Sequence, residues 1–86
     1  MRQAELIALV IDVVQAEIND SSVQIEEMTP LQDLSSFDSL VVVGVLERLE
    51  QQLGVEMDPA LILPETFATP RAIAEALMQS YQPSNA

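Results

Sequence analysis

The chain has 86 residues, with 14 acidic residues against three arginines, no lysine, no histidine and no cysteine, for a formal net charge of −11. That length makes one small domain with room for one core, and that charge would repel phosphate backbones and anionic membrane surfaces alike. Without cysteine or histidine there are no disulfides, no thiolate metal site and none of the usual general bases or zinc ligands.

Hydrophobic residues make up 49% of the chain, so a core is expected, while two glycines and a 3% aromatic share argue against a many-turned β fold. The apolar stretch Leu6 to Ile11 is too short to span a bilayer. Glu5 and Asp12 lie where a signal peptide would be apolar, and no small-residue cleavage site follows, so a cytoplasmic location is expected. Partners with basic patches would be steered towards so acidic a surface.

The first segment, Arg2 to Ile18, reads as a helix. Leu6, Val10, Val13, Val14 and Ile18 recur at spacings of three and four and share one face, which Ile7 and Ile11 widen. Asn19-Asp20-Ser21-Ser22 is a run of turn formers that ends it. A long loop is expected from there to Phe37, pinned by Val23, Ile25, Met28, Leu31 and Leu34, with a short turn opened by Thr29-Pro30. A loop this long in a small domain usually has a functional reason.

Phe37-Asp38-Ser39-Leu40 ends the loop and starts the second helix, Ser39 to about Leu53. Asp38 suits the N-cap, and Phe37 and Val42 suit a hydrophobic staple. Ser39 is then the first helical residue, exposed near the positive end of the helix dipole. The helical period assigns Val42, Val43, Val45, Leu46, Leu49 and Leu53 to the core. Leu40, Val41, Gly44, Glu47, Arg48 and Gln51 are assigned to the other side, where Leu40, Val41 and Gly44 form an apolar patch of the kind that serves as a contact surface.

Gly54 suits a left-handed cap. Asp58-Pro59 starts a short helical stretch, Ala60 to Leu63, that Pro64 ends. Phe67 is expected to plug the core. Thr69-Pro70 starts the last helix, with Ile73, Leu77 and Ala74 inward. The domain is assigned to residues 1–79, with a flexible tail at 80–86 that contains Pro83. The expected fold is all-α: a small four-helix bundle of three main helices and one short helix, with a long loop between helices 1 and 2.

Asp38-Ser39-Leu40, set at the start of an amphipathic helix after a long loop, resembles the attachment motif of the phosphopantetheine-dependent acyl and peptidyl carrier proteins. The resemblance extends from Leu6 to Leu77. It includes Gly54-Val55-Glu56-Met57, which is similar to the family's turn after its second helix, and Phe67-Ala68-Thr69-Pro70, similar to the entry into its last. It implies that Ser39 bears 4′-phosphopantetheine from coenzyme A, attached by a phosphopantetheinyl transferase. The arm's thiol would then hold an acyl or aminoacyl group as a thioester for a loading ligase and a downstream acyltransferase or synthase. It further implies that Asp38 helps position metal and phosphate in the transferase complex. Leu40, Val41, Gly44 and Glu47 would contact partners, with Met57 and Ile62 as additions.

Fatty-acid-type carriers place an acid soon after Asp-Ser-Leu; here Val41 and Gly44 stand there, and Ser36-Phe37 precedes the motif. With Thr69-Pro70, this looks closer to free-standing aminoacyl carriers, including the D-alanyl type, and to peptidyl carriers. No residue set supports catalysis or a metal site: Ser39 has no His or Lys to activate it, and no loop has the spacing of a calcium hand. The chain is therefore read as a non-catalytic monomeric carrier. The alternative is an acidic helical adaptor that binds a partner without a cofactor.

Overall fold

The computed structural model describes residues 2–80. Among these there are three α-helices and no strand: α1 (Gln3–Ile18), α2 (Ser39–Leu53) and α3 (Pro70–Ser80). Helix α1 packs against both α2 and α3. Val10, Val14, Leu31, Val45, Leu49, Ile73 and Leu77 are fully buried between the helices and the long loop. Each side chain of this kind stabilises the fold by about 1.5–3 kcal/mol relative to exposure.

The helix ends follow local chemistry. The Arg2 amide donates to Glu5 Oε1 at 3.0 Å and opens α1. Asn19 closes it in the left-handed region at φ 55°, a conformation that Asn tolerates. Gly54, at φ 69°, closes α2 as expected. Asp58 caps the next turn by accepting from the Ala60 amide at 2.9 Å. The Thr69 hydroxyl accepts from the Ala72 amide at 3.1 Å at the start of α3.

Residues 54–69 differ from the expected short fourth helix. Two 3₁₀ turns stand there, Pro59–Leu61 and Pro64–Phe67. Prolines at 59 and 64 each start a turn, and Pro64, lacking an N–H, prevents the first from continuing into the second. A third 3₁₀ turn, Leu31–Asp33, lies in the long loop, with Pro30 as its N-cap and not its first residue. Met28, expected to pin this loop, is instead 62% exposed. It sits at the corner of a turn closed by the Thr29 amide on the Glu26 carbonyl, at 3.2 Å. Ile25 and Leu31 do the pinning, and Val23 and Leu34 pack against the core beside them.

The loop is also held by polar contacts. The Gln15 amide nitrogen donates to the Asp20 carbonyl at 3.1 Å and to the Val23 carbonyl at 2.7 Å. Its oxygen accepts from the Ile25 amide at 3.2 Å. At the far end the Leu31 amide donates to the Ala68 carbonyl at 2.9 Å, and the Arg71 amide donates to the Glu27 carbonyl at 3.1 Å. The Arg71 guanidinium also meets the carboxylates of Glu27, at 3.0 Å, and Glu75, at 3.3 Å. The hydrogen bond to Glu75, followed by the charge of Glu27, raises the Arg71 pKa above its already high ordinary value.

Of the expected tail, residues 80–86, only Ser80 is described, and it is the last residue of α3. Its hydroxyl accepts from the Asp58 amide and donates to the Ala76 carbonyl, each at 3.1 Å. Residues 81–86 lie outside the described residues. Among the described residues no helix is long and apolar enough to cross a membrane.

Replacing Gln15 with Ala would leave two carbonyls and one N–H of the loop without their partner. The expected loss is about 1–3 kcal/mol in urea denaturation, with faster hydrogen exchange at the Ile25 amide.

Candidate functional site

The site is built where the long loop meets α2. Asp38 lies in the extended region and its carboxylate accepts from the Val41 amide at 3.0 Å. One of the unpaired donors at the start of α2 is thereby satisfied. Phe37, immediately before the cap, is buried, and Val42, four residues after the cap, packs on the core. Phe37 and Val42 line one cleft, as the staple arrangement requires. Ser39 is left as the exposed first residue of α2.

Beside Ser39 is an open cleft of about 280 Å³. Phe37, Val42 and Phe67 line it from the core side, and Ile62, Leu63 and Pro64 come from the opposite segment. Gln32, Asp38 and Ser39 supply its polar edge. Ser39 is thus a surface hydroxyl at the margin of an apolar depression. Other serines are differently engaged: Ser22 Oγ is bonded to Asp20 at 2.6 Å, and Ser80 Oγ to the Ala76 carbonyl. The Ser22 hydroxyl and amide hold the Asp20 carboxyl below its ordinary pKa.

The outer face of α2 is rotated relative to the sequence expectation. Leu40 is 81% exposed and Val43 is 52% exposed. Val41 is half-buried and packs on the core. At 100° per residue Val43 lies roughly 160° from Val45 whereas Val41 lies roughly 40° from it, so Val41 and Val43 exchange the sides assigned to them. Glu47 is exposed, as expected.

Gly44 is half-buried under the flexible end of the Glu17 side chain from α1, which would have to move if position 44 carried a side chain. Glu17 also pairs with Arg48 at 3.0 Å. Gly44 therefore leaves room for the Glu17–Arg48 pair and presents only part of its surface to a partner. Met57, expected at a partner surface, is 3% exposed and part of the core. The Glu50 carboxylate accepts the Met57 amide at 2.9 Å and turns that segment inward. Ile62 stays at the surface at 44% exposure, and Leu63 beside it, which the sequence reading did not single out, is equally exposed.

An acyl-carrier-like helical domain that presents one serine at the head of its second helix is the class defined by this arrangement. Residues 4–77 match the family described as the phosphopantetheine attachment site, and the chain belongs to that family. Its members carry covalently attached 4′-phosphopantetheine. Comparison with curated proteins and with solved structures gave no match. The residues present fit the group: a phosphate ester needs an accessible hydroxyl with free space around it, and Ser39 is exposed at the rim of an open cleft.

Replacing Asp38 with Ala removes the cap and should cost about 1 kcal/mol of stability. Urea denaturation reads the loss, hydrogen exchange at the Val41 amide should quicken, and Asp38→Asn should restore most of both.

Proposed function

We propose that this chain is a non-catalytic carrier whose Ser39 hydroxyl accepts 4′-phosphopantetheine from coenzyme A in a reaction run by a phosphopantetheinyl transferase. The observation that carries the reading is Ser39 itself, an exposed serine opening α2 directly after its Asp38 cap, within a chain of the phosphopantetheine attachment family. In the transfer Ser39 Oγ loses its proton and forms the new bond to phosphorus, and 3′,5′-ADP departs from the coenzyme. The attached arm supplies a thiol on which an acyl or aminoacyl group is held as a thioester between partner enzymes.

The chain's own residues present and position. Asp38 fixes the first turn of α2, so Ser39 is offered on a rigid helix end. The positive end of the α2 dipole favours the phosphodiester charge at that place by about 0.3–1 kcal/mol. In the transferase complex Asp38 would lie beside the phosphate and its metal. Leu40, Val43, Ile62 and Leu63 place apolar surface around Ser39, and Glu47 adds charge on the exposed side of α2. A transferase, a loading ligase and a downstream acyltransferase or synthase would dock there through apolar contacts rimmed by basic residues. The carrier acts as a monomer in the cytoplasm.

Intact mass after incubation with coenzyme A, magnesium and a broad-specificity transferase tests the reading. One phosphopantetheine should be gained by the wild type and none by Ser39→Ala. No gain on the wild type would favour an acidic helical adaptor that binds partners without the arm. Leu40→Glu is the companion test of the surface. With Leu40 so exposed, the melting temperature should hold while the modification rate falls by about tenfold, the usual effect of losing one anchoring contact.

A further inference from the structure

Helix α2 has no acidic residue between Ser39 and Glu47, yet a carboxylate stands over that stretch. It belongs to Glu17, near the end of α1. Glu17 Oε2 meets Arg48 Nη2 at 3.0 Å. Its Oε1 lies over Gly44, so close that a side chain at position 44 would push it aside. The glycine is what lets a group from α1 reach onto the outer side of α2.

The surroundings make a hollow there. At 100° per residue Leu40, Gly44 and Glu47 fall within about 60° of one another, and Gly44 lies about 7.5 Å along the axis from Ser39. Leu40 is 81% exposed, Glu47 is exposed, and Gly44 between them has no side chain. Leu40 and Glu47 stand as two walls, Gly44 is the floor, and the Glu17 carboxylate closes one side. Arg48 holds that carboxylate through Oε2, and 22% of the Glu17 side chain stays accessible. Two carboxylates beside one apolar wall suit the charged end of a single Arg or Lys, with its alkyl stem laid along Leu40.

The source of that cation follows from the chemistry at Ser39. Coenzyme A is rich in phosphate, so an enzyme that delivers it to Ser39 Oγ carries cationic side chains around its own site. The rim of such an enzyme passes over the first turns of α2. We infer that Glu17 is a recognition residue for the phosphopantetheinyl transferase. Its carboxylate, together with that of Glu47, receives one Arg or Lys of the enzyme in the hollow over Gly44. An anion that α2 lacks in its own first turns is thus supplied by α1. Arg48 steadies the carboxylate while its charge opposes the incoming cation, so it adds nothing to the contact. This inference rests on the carrier reading for the enzyme that docks.

The test is steady-state modification by the transferase at low ionic strength. Four full-length proteins are compared: wild type, Glu17→Gln, Arg48→Gln, and the double variant Glu17→Ala with Gly44→Glu. All should keep the wild-type circular dichroism. Glu17→Gln should raise KM about fivefold, the scale of one partly exposed charge contact. Its kcat should hold, and the difference should narrow as salt is added. Arg48→Gln breaks the same pair from the other side but leaves the carboxylate in place, so KM should not rise. The double variant returns a carboxylate to the hollow from α2 itself, four residues before Arg48, and should recover most of the wild-type KM.

An unchanged KM in Glu17→Gln overturns the inference. An equal rise in Arg48→Gln overturns it too, because the tie between α1 and α2 would then matter and the carboxylate would not. Failure of the double variant to recover does the same. Absence of modification on the wild type sinks the carrier reading, whereas modification with one KM in all four proteins sinks the role of Glu17 alone.

Discussion

One glutamine side chain carries a constraint on which the placement of the site depends. A loop of this length has no ladder to absorb its backbone groups, yet it must bury Ile25 and Leu31 to close the core. Gln15 resolves the conflict from the surface of α1 by taking two carbonyls and one amide of the loop with one planar group. The loop then leaves α1 in a fixed direction and Leu31 reaches the fully buried position from which the chain turns back to Phe37 and Asp38. Ser39 is consequently presented by a rigid scaffold at one end of the bundle.

The parts legible in the sequence were those written in local chemistry. Asp38, Gly54, Asp58 and Thr69 each announce a helix end through a short-range contact that the structure contains. The core of α1 and α3 follows directly from the apolar period. What stayed hidden were polar side chains bonding to distant backbone: Gln15, Gln32 and Glu50 look like solvated residues because nothing local marks their partners. The outer face of α2 was legible only in part. It starts with seven apolar or small residues after Ser39, and so dense a run blurs which of Val41 and Val43 points inward. Met57 was misplaced because the carboxylate that turns its segment inward lies seven residues earlier.

The charge pattern sorts itself in the same economical way. Arg48 is paired with Glu17, and Arg71 with Glu27 and Glu75. Exposed pairs of this kind contribute at most about 1 kcal/mol each, so their effect lies more in arrangement than in stability. Arg48 is the one cation on α2, and Glu17 neutralises it from across the helix pair while lying over Gly44. The face around Ser39 is left apolar with an anionic border.

Both phenylalanines of the chain, Phe37 and Phe67, line the cleft at Ser39, and the only other aromatic residue is Tyr81. With no tryptophan, the protein has almost no intrinsic fluorescence by which to follow its work. The same scarcity makes the proton spectrum simple to interpret. Phe37 and Phe67 are the only aromatic rings within residues 2–80, so with Tyr81 replaced by Leu a methyl group displaced strongly upfield identifies itself as a neighbour of one of those two rings. Val42, Ile62 and Leu63 should supply such signals, and the site carries its own built-in spectroscopic marker without any label at Ser39.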